Sequence, residues 1–551
     1  MEKILGLWSG HDASFVVLND GIVEQHTELE RHTRIKEDAG DSIRLFYEQH
    51  GDESDIIGLA TCYQPSGIKQ HAESWKRISR SGIPLYVCGH HQAHAAHAFY
   101  SSRFDEAIVI TIDGGGIENA DGFTASTTIW HGVGTKLDHV ASIPAHQLNI
   151  GAVWSRLTRY VFQCESGWPY GHQAGTVMAL AALGNSDDRY LPEFRKFFGE
   201  HFHMVDAHPP GHVRGMSARD PRCPKHPFLE RWAAWARTAD QHRFDMARAL
   251  QLATEERIEE VLQHALRNVP RVRNVCFSGG VALNSVAMGR MLLKHPELEL
   301  YVPPVPYDGG LTIGAAQHAW HHVLKNPRVD WSSRNASPYL GRRYSLLDIC
   351  NAISRAFVAN EDPRDRKWVS SFANDDSIIN HLLEGKVVSV FNDRAESGRR
   401  ALGNRSIIAD PRNPEMKDRV NERVKHRQKF RPFAPSIIRE AVCDVFENDV
   451  ESPYMSFVVS FKPEAAAALP AVVHFDGTAR LQTVSANDAP WYHAFLQKWG
   501  KVSGWPVLLN TSFNDSTPVT ETPDHAMQCF LGTDIDVLYF PEHQLAVRKQ
   551  P

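Results

Sequence analysis

Paired cysteines are missing from this chain. Its eight cysteines (Cys62, Cys88, Cys164, Cys223, Cys276, Cys350, Cys443 and Cys529) are dispersed, and no two stand in a C-x-x-C spacing. That excludes zinc fingers and a disulfide framework and fits a reduced, cytoplasmic protein. Long apolar runs are missing too: none reaches the roughly 20 residues of a membrane span. Met1-Glu2-Lys3-Ile4 leads directly into a strand-like segment instead of a signal peptide. The chain has no low-complexity tract and no repeat at solenoid period. Neither charge dominates, since 59 Lys+Arg against 65 Asp+Glu leave a net −6, which argues against bulk binding of nucleic acid or an anionic membrane. At 551 residues, 42% hydrophobic and 23% charged, it should form two or more globular domains. An oligomer is left open.

Histidine, by contrast, is plentiful. His90, His91, His94 and His97 stand just ahead of an apolar strand, Ala107–Ile112, that delivers Asp113 and then Gly114-Gly115-Gly116. His90 and His94 lie four apart, so on a helix both imidazoles leave one face and can share a divalent cation. The glycines behind Asp113 leave backbone N–H groups able to approach a phosphate. A metal beside a phosphate cradle points to an enzyme acting on a nucleotide or another activated phosphate.

Further glycine turns follow. Strands are expected at Ile4–Trp8, Ser14–Leu18 and Ile22–Thr27, with Asn19-Asp20-Gly21 as a tight hairpin. The loop Ser9–Ala13 between the first two carries His11 and Asp12, and another hairpin is expected near Asn119–Gly122. Helical spacing runs from Phe244 to Arg267, then a strand at Asn274–Phe277 reaches Ser278-Gly279-Gly280. A strand at Leu298–Val302 leads to Asp308-Gly309-Gly310 and a small-residue helix at Ile313–Ala316. Strand, glycine turn and helix, repeated with acids at the turns, resemble the actin, Hsp70 and sugar-kinase fold. Residues 323–345 are polar and turn-rich and predict the boundary, giving domains 1–335 and 336–551. In the second, strands are expected at Lys386–Phe391, Val507–Leu509 and Asp536–Phe540.

Positive charge is concentrated in one place. Between Arg394 and Arg431 there are twelve Lys/Arg and five acids. The guanidinium forks alternate with Gly, Pro and aromatic residues, as in Arg399-Arg400-Ala401-Leu402-Gly403-Asn404-Arg405, and the block runs on through Lys425. That composition predicts a shaped pocket for small polyanions more than a flexible surface patch.

The segments Arg400–Ser406, Phe430–Ser436, His474–Val484 and Asn510–Asn514 closely resemble the O-carbamoyltransferases of the tobramycin, cephamycin, ansamycin, saxitoxin and nodulation-factor pathways. The resemblance runs from Ile4 to about Phe540. It implies an α/β protein in which an actin-like, threonylcarbamoyl-transferase-like domain with an iron site is joined to a YrdC-like domain. It further implies that the second domain converts carbamoyl phosphate and ATP, with Mg, to carbamoyladenylate. The first domain would then pass the carbamoyl group to the hydroxyl of a small molecule.

Matching motifs carry the metal role to His90, His94, Asp113 and Asp308. Two imidazoles and two carboxylates suit Fe(II) or Mn(II) better than structural zinc. The resemblance places nucleotide contacts at Gly114, Gly115, Ser278, Gly279, Gly280, Asn284, Gly309 and Gly310. It assigns the grip on carbamoyl phosphate to Arg400, Arg405 and Lys425, with Arg480 and Asn510 nearby. His11 is the candidate to accept the hydroxyl proton, with Asp12, Glu30 and Arg31 toward the acceptor. The stretch from His201 to Arg237, with His203, His208, His212, Asp220 and Trp232, is expected to face the same cleft.

Departures from the family pattern are Arg399-Arg400 for Pro-Arg, Gln428 for glutamate, Asp515-Ser516-Thr517-Pro518 after Asn514, and Thr176 for lysine. Two other enzyme classes stay open. A sugar-kinase-like phosphotransferase would not need the basic block, and a tRNA threonylcarbamoyl-type transferase would need a tRNA surface. A non-enzymatic actin-like switch would not need the metal-type cluster. A hydrogenase-maturation carbamoyltransferase would need zinc fingers that these cysteines cannot build.

Overall fold

The structure is a computed structural model that describes residues 2–51, 55–79, 82–145, 147, 149–164, 173–186, 188–198, 227–329, 337–359 and 368–550. It divides into two units, Met1–Ala336 and Ser337–Pro551.

The first unit repeats one topology. Its first sheet holds β1 (Lys3–Trp8), β2 (Ser14–Asn19), β3 (Ile22–Glu28), β4 (Ile56–Cys62) and β5 (Leu85–Cys88), in the order β3-β2-β1-β4-β5. The second holds β6 (Glu106–Ile117), β7 (Thr124–Val133), β8 (Lys136–Pro144), β9 (Asn274–Ser278) and β10 (Glu299–Tyr301), in the order β10-β9-β6-β7-β8. In both, three strands form an antiparallel meander and two more join in parallel. The meanders close on tight turns: Asp20 and Gly21, at φ +47° and +84°, join β2 to β3. The parallel pairs need helical crossovers, among them the long helix Asp240–Asn268.

Each half lays its last helix on the other half's sheet. His90–Tyr100, which follows β5, packs on β6 and β9, and Leu311–Gln317, which follows β10, packs on β1, β2 and β4. This is the actin-like arrangement that the glycine turns predict. The two helices meet so closely that a Cβ on Gly314 would lie 1.9 Å from the Ala93 carbonyl oxygen, so only glycine fits there.

β6 departs from expectation. The strand does not stop before Asp113 but continues through the glycines to Ile117, with a register break between Ile112 and Gly116. Asp113, Gly114 and Gly115 together oppose Ser126, so the extra residues leave the ladder and re-aim the Asp113 side chain.

The second unit is a mixed α/β body. Its strands are β11 (Trp368–Phe372), β12 (Val388–Phe391), β13 (Arg405–Ala409), β14 (Ala434–Ile438), β15 (Phe457–Ser460), β16 (Thr478–Val484), β17 (Val507–Ser512), β18 (Val537–Phe540) and β19 (Leu545–Lys549). They form a nine-stranded sheet in the order β11-β19-β18-β12-β13-β17-β14-β16-β15. Helix Pro490–Ser503 buries Tyr492, Phe495, Leu496 and Trp499 against Val388, Ile408 and Leu508.

Trp499 is fully buried and its indole N–H donates to the Val507 carbonyl at 2.8 Å. Trp499→Ala should therefore destabilise the second unit by about 3–5 kcal/mol, read as an earlier urea transition. In the first unit His318 and His321 are buried, and burial pushes their imidazoles down to about 3 and about 4. Unfolded imidazoles titrate near 6.5, so the unfolded chain takes up protons that the folded one refuses. Stability of the first unit should be complete above that pH and fall as pH drops from about 6.5 toward 4. His318→Gln, followed by urea midpoints against pH, should flatten that slope.

Candidate functional site

Helix His90–Tyr100 sorts its histidines by facing. His91 is buried, its Nε2–H donating to the Ala125 carbonyl at 3.0 Å and its Nδ1 accepting from Thr111 Oγ1 at 2.6 Å. His97 lies against Ser101 Oγ at 3.2 Å, and burial pushes its imidazole down to about 3. His90 and His94 share another face, where Asp113 from β6 and Asp308 from the turn before Leu311–Gln317 meet them.

The ligand atoms of His90, His94, Asp113 and Asp308 lie within 4.8 Å of one another. His94 Nε2 is 2.9 Å from Asp113 Oδ2 and 3.4 Å from Asp308 Oδ1, and His90 Nε2 is 3.6 Å from each of the same oxygens. The Nε2 atoms of both histidines and Oδ2 of Asp113 are buried with no hydrogen-bond partner of acceptable geometry. Orphaned donors converging at this spacing fit a divalent cation that takes nitrogen and oxygen ligands. Burial opposes a charge on His94, but Asp113 and Asp308 outweigh it and lift the imidazole to about 9. Burial likewise opposes the Asp113 carboxylate, and His90 and His94 hold it well below the usual range. The pocket draws positive charge inward.

All three glycine turns end here. A Cβ on Gly280 would lie 3.2 Å from Asp113 Oδ1, so the Ser278–Gly280 turn abuts a ligand. Ser278 Oγ and the Gly279 amide both donate to the Pro306 carbonyl, at 3.3 and 2.7 Å, which ties this turn to the Asp308 loop. Gly114 turns its amide onto Asp113 Oδ1, and its carbonyl accepts from Asn149 Nδ2 at 2.6 Å. Gly115 has φ +109°. The Gly309 carbonyl accepts from Ser14 Oγ at 2.9 Å and meets His26 Nε2 at 2.8 Å, while Gly310 packs on Val305 and His97. Asn284 caps helix Ser285–Lys294, taking the Ala287 amide at 3.1 Å, and exchanges amide bonds with Gln251.

His11 Nδ1 lies 3.2 Å from Asp308 Oδ2, so Asp308 turns one oxygen to the histidine pair and the other to His11. Burial lowers the His11 imidazole, but Asp308, Asp12 and Glu37 more than offset it and raise it above its ordinary value. Asp12 is buried at φ +58°. Glu30 accepts the Glu37 amide at 2.8 Å, and Arg31 is buried 3.5 Å from Glu28.

Tyr307 donates to that same Glu28, so a buried Glu28–Tyr307 contact braces the residue next to Asp308. The sequence reading missed Tyr307, His26 and Glu118, since nothing local marks them. Trp232 corrects an expectation: it is fully buried and stacks on Phe194 at 4.4 Å, within the core instead of lining a cleft. His201, His203, His208, His212 and Asp220 lie outside the described residues.

The second unit collects the basic block. Arg480 is pushed well below its ordinary range by burial and by the charges of Arg400, Arg427 and Arg431. Its Nε is buried without a partner. Arg400, Arg427, Arg431 and Arg480 are thus close enough for their charges to act on one another, as in sites that take anions. Of the adjacent pair Arg399-Arg400, the charge of Arg400 reaches Arg480. Burial also pushes neighbouring His474 down to about 4.

Arg405 and Lys425 sit deeper than expected. The Arg405 guanidinium donates to the carbonyls of Asn392, Asn404 and Asp393 at 2.6, 3.0 and 3.1 Å and stacks 3.5 Å over the Phe391 ring. Lys425 Nζ binds the carbonyls of Ser512 and Asn514 at 3.0 and 2.7 Å. Asn510 Nδ2 reaches the Ala401 carbonyl, Ser436 Oγ and Gln482 Oε1, at 3.0, 2.9 and 2.8 Å. These bonds fix the loop that carries Arg400.

A metal site of this kind depends on each ligand. His90→Ala and Asp308→Ala should remain folded by circular dichroism yet lose bound Fe(II) or Mn(II) in elemental analysis. Unchanged metal content in either variant would defeat the assignment.

Residues 61–317 match the family described as Carbamoyltransferase N-terminus, and residues 379–547 match Carbamoyltransferase C-terminus. Nodulation protein NolO of Bradyrhizobium diazoefficiens is 33% identical over 84% of this chain and 79% of its own length. Nodulation protein NolNO of Sinorhizobium fredii is 30% identical over 96% of this chain and 78% of its own. An uncharacterized Synechocystis protein is 30% identical over 100% of this chain and 98% of its own. Full-length HypF in its phosphate- and nucleotide-bound form covers 58% of this chain and 55% of its own, at 14% identity and a TM-score of 0.35, a likeness too slight to build on. On the matched halves and these full-length relatives, the chain belongs to the carbamoyltransferase family and is a transferase enzyme.

Proposed function

We propose that the protein is an ATP-dependent O-carbamoyltransferase. The second unit would convert carbamoyl phosphate and ATP to carbamoyladenylate. The first would form the new C–O bond on a hydroxyl of a small-molecule secondary metabolite and release AMP. The observation that carries this reading is the buried Arg480, whose Nε has no hydrogen-bond partner and on which the charges of Arg400, Arg427 and Arg431 act, in a carbamoyltransferase-family chain. Phosphate-bearing substrates would be attracted by these guanidinium groups, which would stabilise charge that develops as the mixed anhydride forms. Arg405, Lys425 and Asn510 would act by holding the loops around that pocket.

In the first unit, Asp308 lies against His11 Nδ1, and the His11 imidazole would take the proton of the attacking hydroxyl. The surrounding carboxylates raise the basicity of that imidazole and would stabilise its protonated form after transfer. Fe(II) or Mn(II) held by His90, His94, Asp113 and Asp308 would neutralise nucleotide phosphates and polarise the carbamoyl carbonyl. Among the described residues no helix is long and apolar enough to cross a membrane.

The test is incubation with ATP, labelled carbamoyl phosphate and Mg plus Fe(II) or Mn(II), followed by a search for labelled carbamoyladenylate. Arg480→Ala should cut its formation by about 10²–10³-fold while still consuming carbamoyladenylate supplied from outside. Formation of the adenylate at the wild-type rate in Arg480→Ala would rule out this pocket as its source. His11→Ala should form the adenylate normally but fail to carbamoylate hydroxylated metabolites. Transfer only to an amine or to tRNA would refute the acceptor class.

A further inference from the structure

The helix that carries His90 and His94 has only one cap within its own turn, Gln92 Oε1, which takes the Gly89 amide at 3.2 Å. Its N-cap is Gly89, in extended conformation at φ −68° and ψ 156°. The first amide groups of a helix need outside acceptors. One is supplied from a distance: Glu118 Oε1 takes the His91 amide hydrogen at 2.8 Å, and the Glu118 side chain is buried. Gly89 makes the room, since a Cβ there would lie 2.5 Å from Glu118 Oε2 and 2.9 Å from the Glu118 carbonyl oxygen.

Glu118 directly follows β6, the strand that carries Asp113. One short stretch of chain therefore supplies a metal-site carboxylate and also grips the helix that supplies both imidazoles. The far end of that helix is held by another residue. Arg328 donates to the carbonyls of Phe99 and Ser102 at 3.1 and 2.6 Å and sits 4.6 Å over the Phe99 ring. A carboxyl at the amino end and a guanidinium at the carboxyl end both complement the helix dipole. Of these two, Glu118 acts in the turn between the two ligands, where Gln92 takes the Gly89 amide and the His91 ring is held by Ala125 and Thr111.

We propose that Glu118 is a positioning residue for the metal site: by binding the His91 amide it sets the seating of the first helical turn, and with it the approach of the His90 and His94 imidazoles to Asp113 and Asp308. This rests on reading those four residues as a metal site.

The test uses the full chain and Co(II) alone, with affinity from chelator competition, the visible Co(II) spectrum, and thermal melting. Glu118→Ala should weaken Co(II) binding by about 10–100-fold and alter its spectrum. Glu118→Gln, which keeps an acceptor for the His91 amide, should recover most of the affinity. Arg328→Ala should lower the melting temperature and leave affinity near that of the wild type. If Glu118→Ala melts too early to titrate, Glu118→Asp, which retracts the carboxyl by one methylene, should weaken binding in its place. Wild-type affinity in either variant overturns the inference. So does an equal loss in Arg328→Ala, which would reduce the effect to helix stability. Co(II) binding unchanged by His90→Ala overturns the metal-site reading itself, and the inference with it.

Discussion

Two imidazoles and two carboxylates, all buried but the half-buried Asp113, with their ligand atoms within 4.8 Å, are the constraint around which the first unit is arranged. Such a cluster is costly unless positive charge sits among the oxygens, because both Nε2 atoms and Asp113 Oδ2 are buried without a hydrogen-bond partner. A cation satisfies all four at once. Holding the cluster open for one requires that the surrounding backbone cannot relax into ordinary hydrogen bonds. Much of the fold can be understood as the means: two sheets of one topology, each clasping the other's last helix, with Ala93 and Gly314 in near contact between them.

The second unit solves the opposite problem. Arg400, Arg427, Arg431 and Arg480 are brought together, with burial working against the charge of Arg427 and Arg480. Desolvated like charges are unfavourable alone and strongly selective for a polyanion. The scaffold meets the cost with neutral acceptors: Arg405 and Lys425 spend their donors on carbonyl oxygens and so secure the strand ends and loops from beneath. The basic block thus divides into charges that act on Arg480 and charges that bind backbone carbonyls.

The two sites differ in sign as their chemistry requires. One gathers carboxylates around imidazoles, the other gathers guanidiniums. Within the first, Asp308 serves both the histidine pair and His11 through separate oxygens, so a single carboxylate couples the orientation of two functional groups.

The sequence by itself determined whatever depends on local spacing. The His90/His94 interval set one helical face, Asn19-Asp20-Gly21 set a hairpin, and the run from Arg394 to Arg431 set the composition of the anion pocket. The sequence pattern also carried the actin-like architecture, because strand, glycine turn and helix recur in order. Only the tertiary structure decided which long-range partners each residue met. It turned His91 and His97 into the core, carried β6 on through its glycines, placed Asp308 against His11, and sent Arg405 and Lys425 to backbone carbonyls. It also brought Glu118 and Arg328 to opposite ends of one helix, the latter from a stretch that reads as linker. A residue's periodicity is fixed by its neighbours in the chain, whereas its partners depend on sheet register and on which helix crosses to which sheet, and those emerge only when the whole core packs.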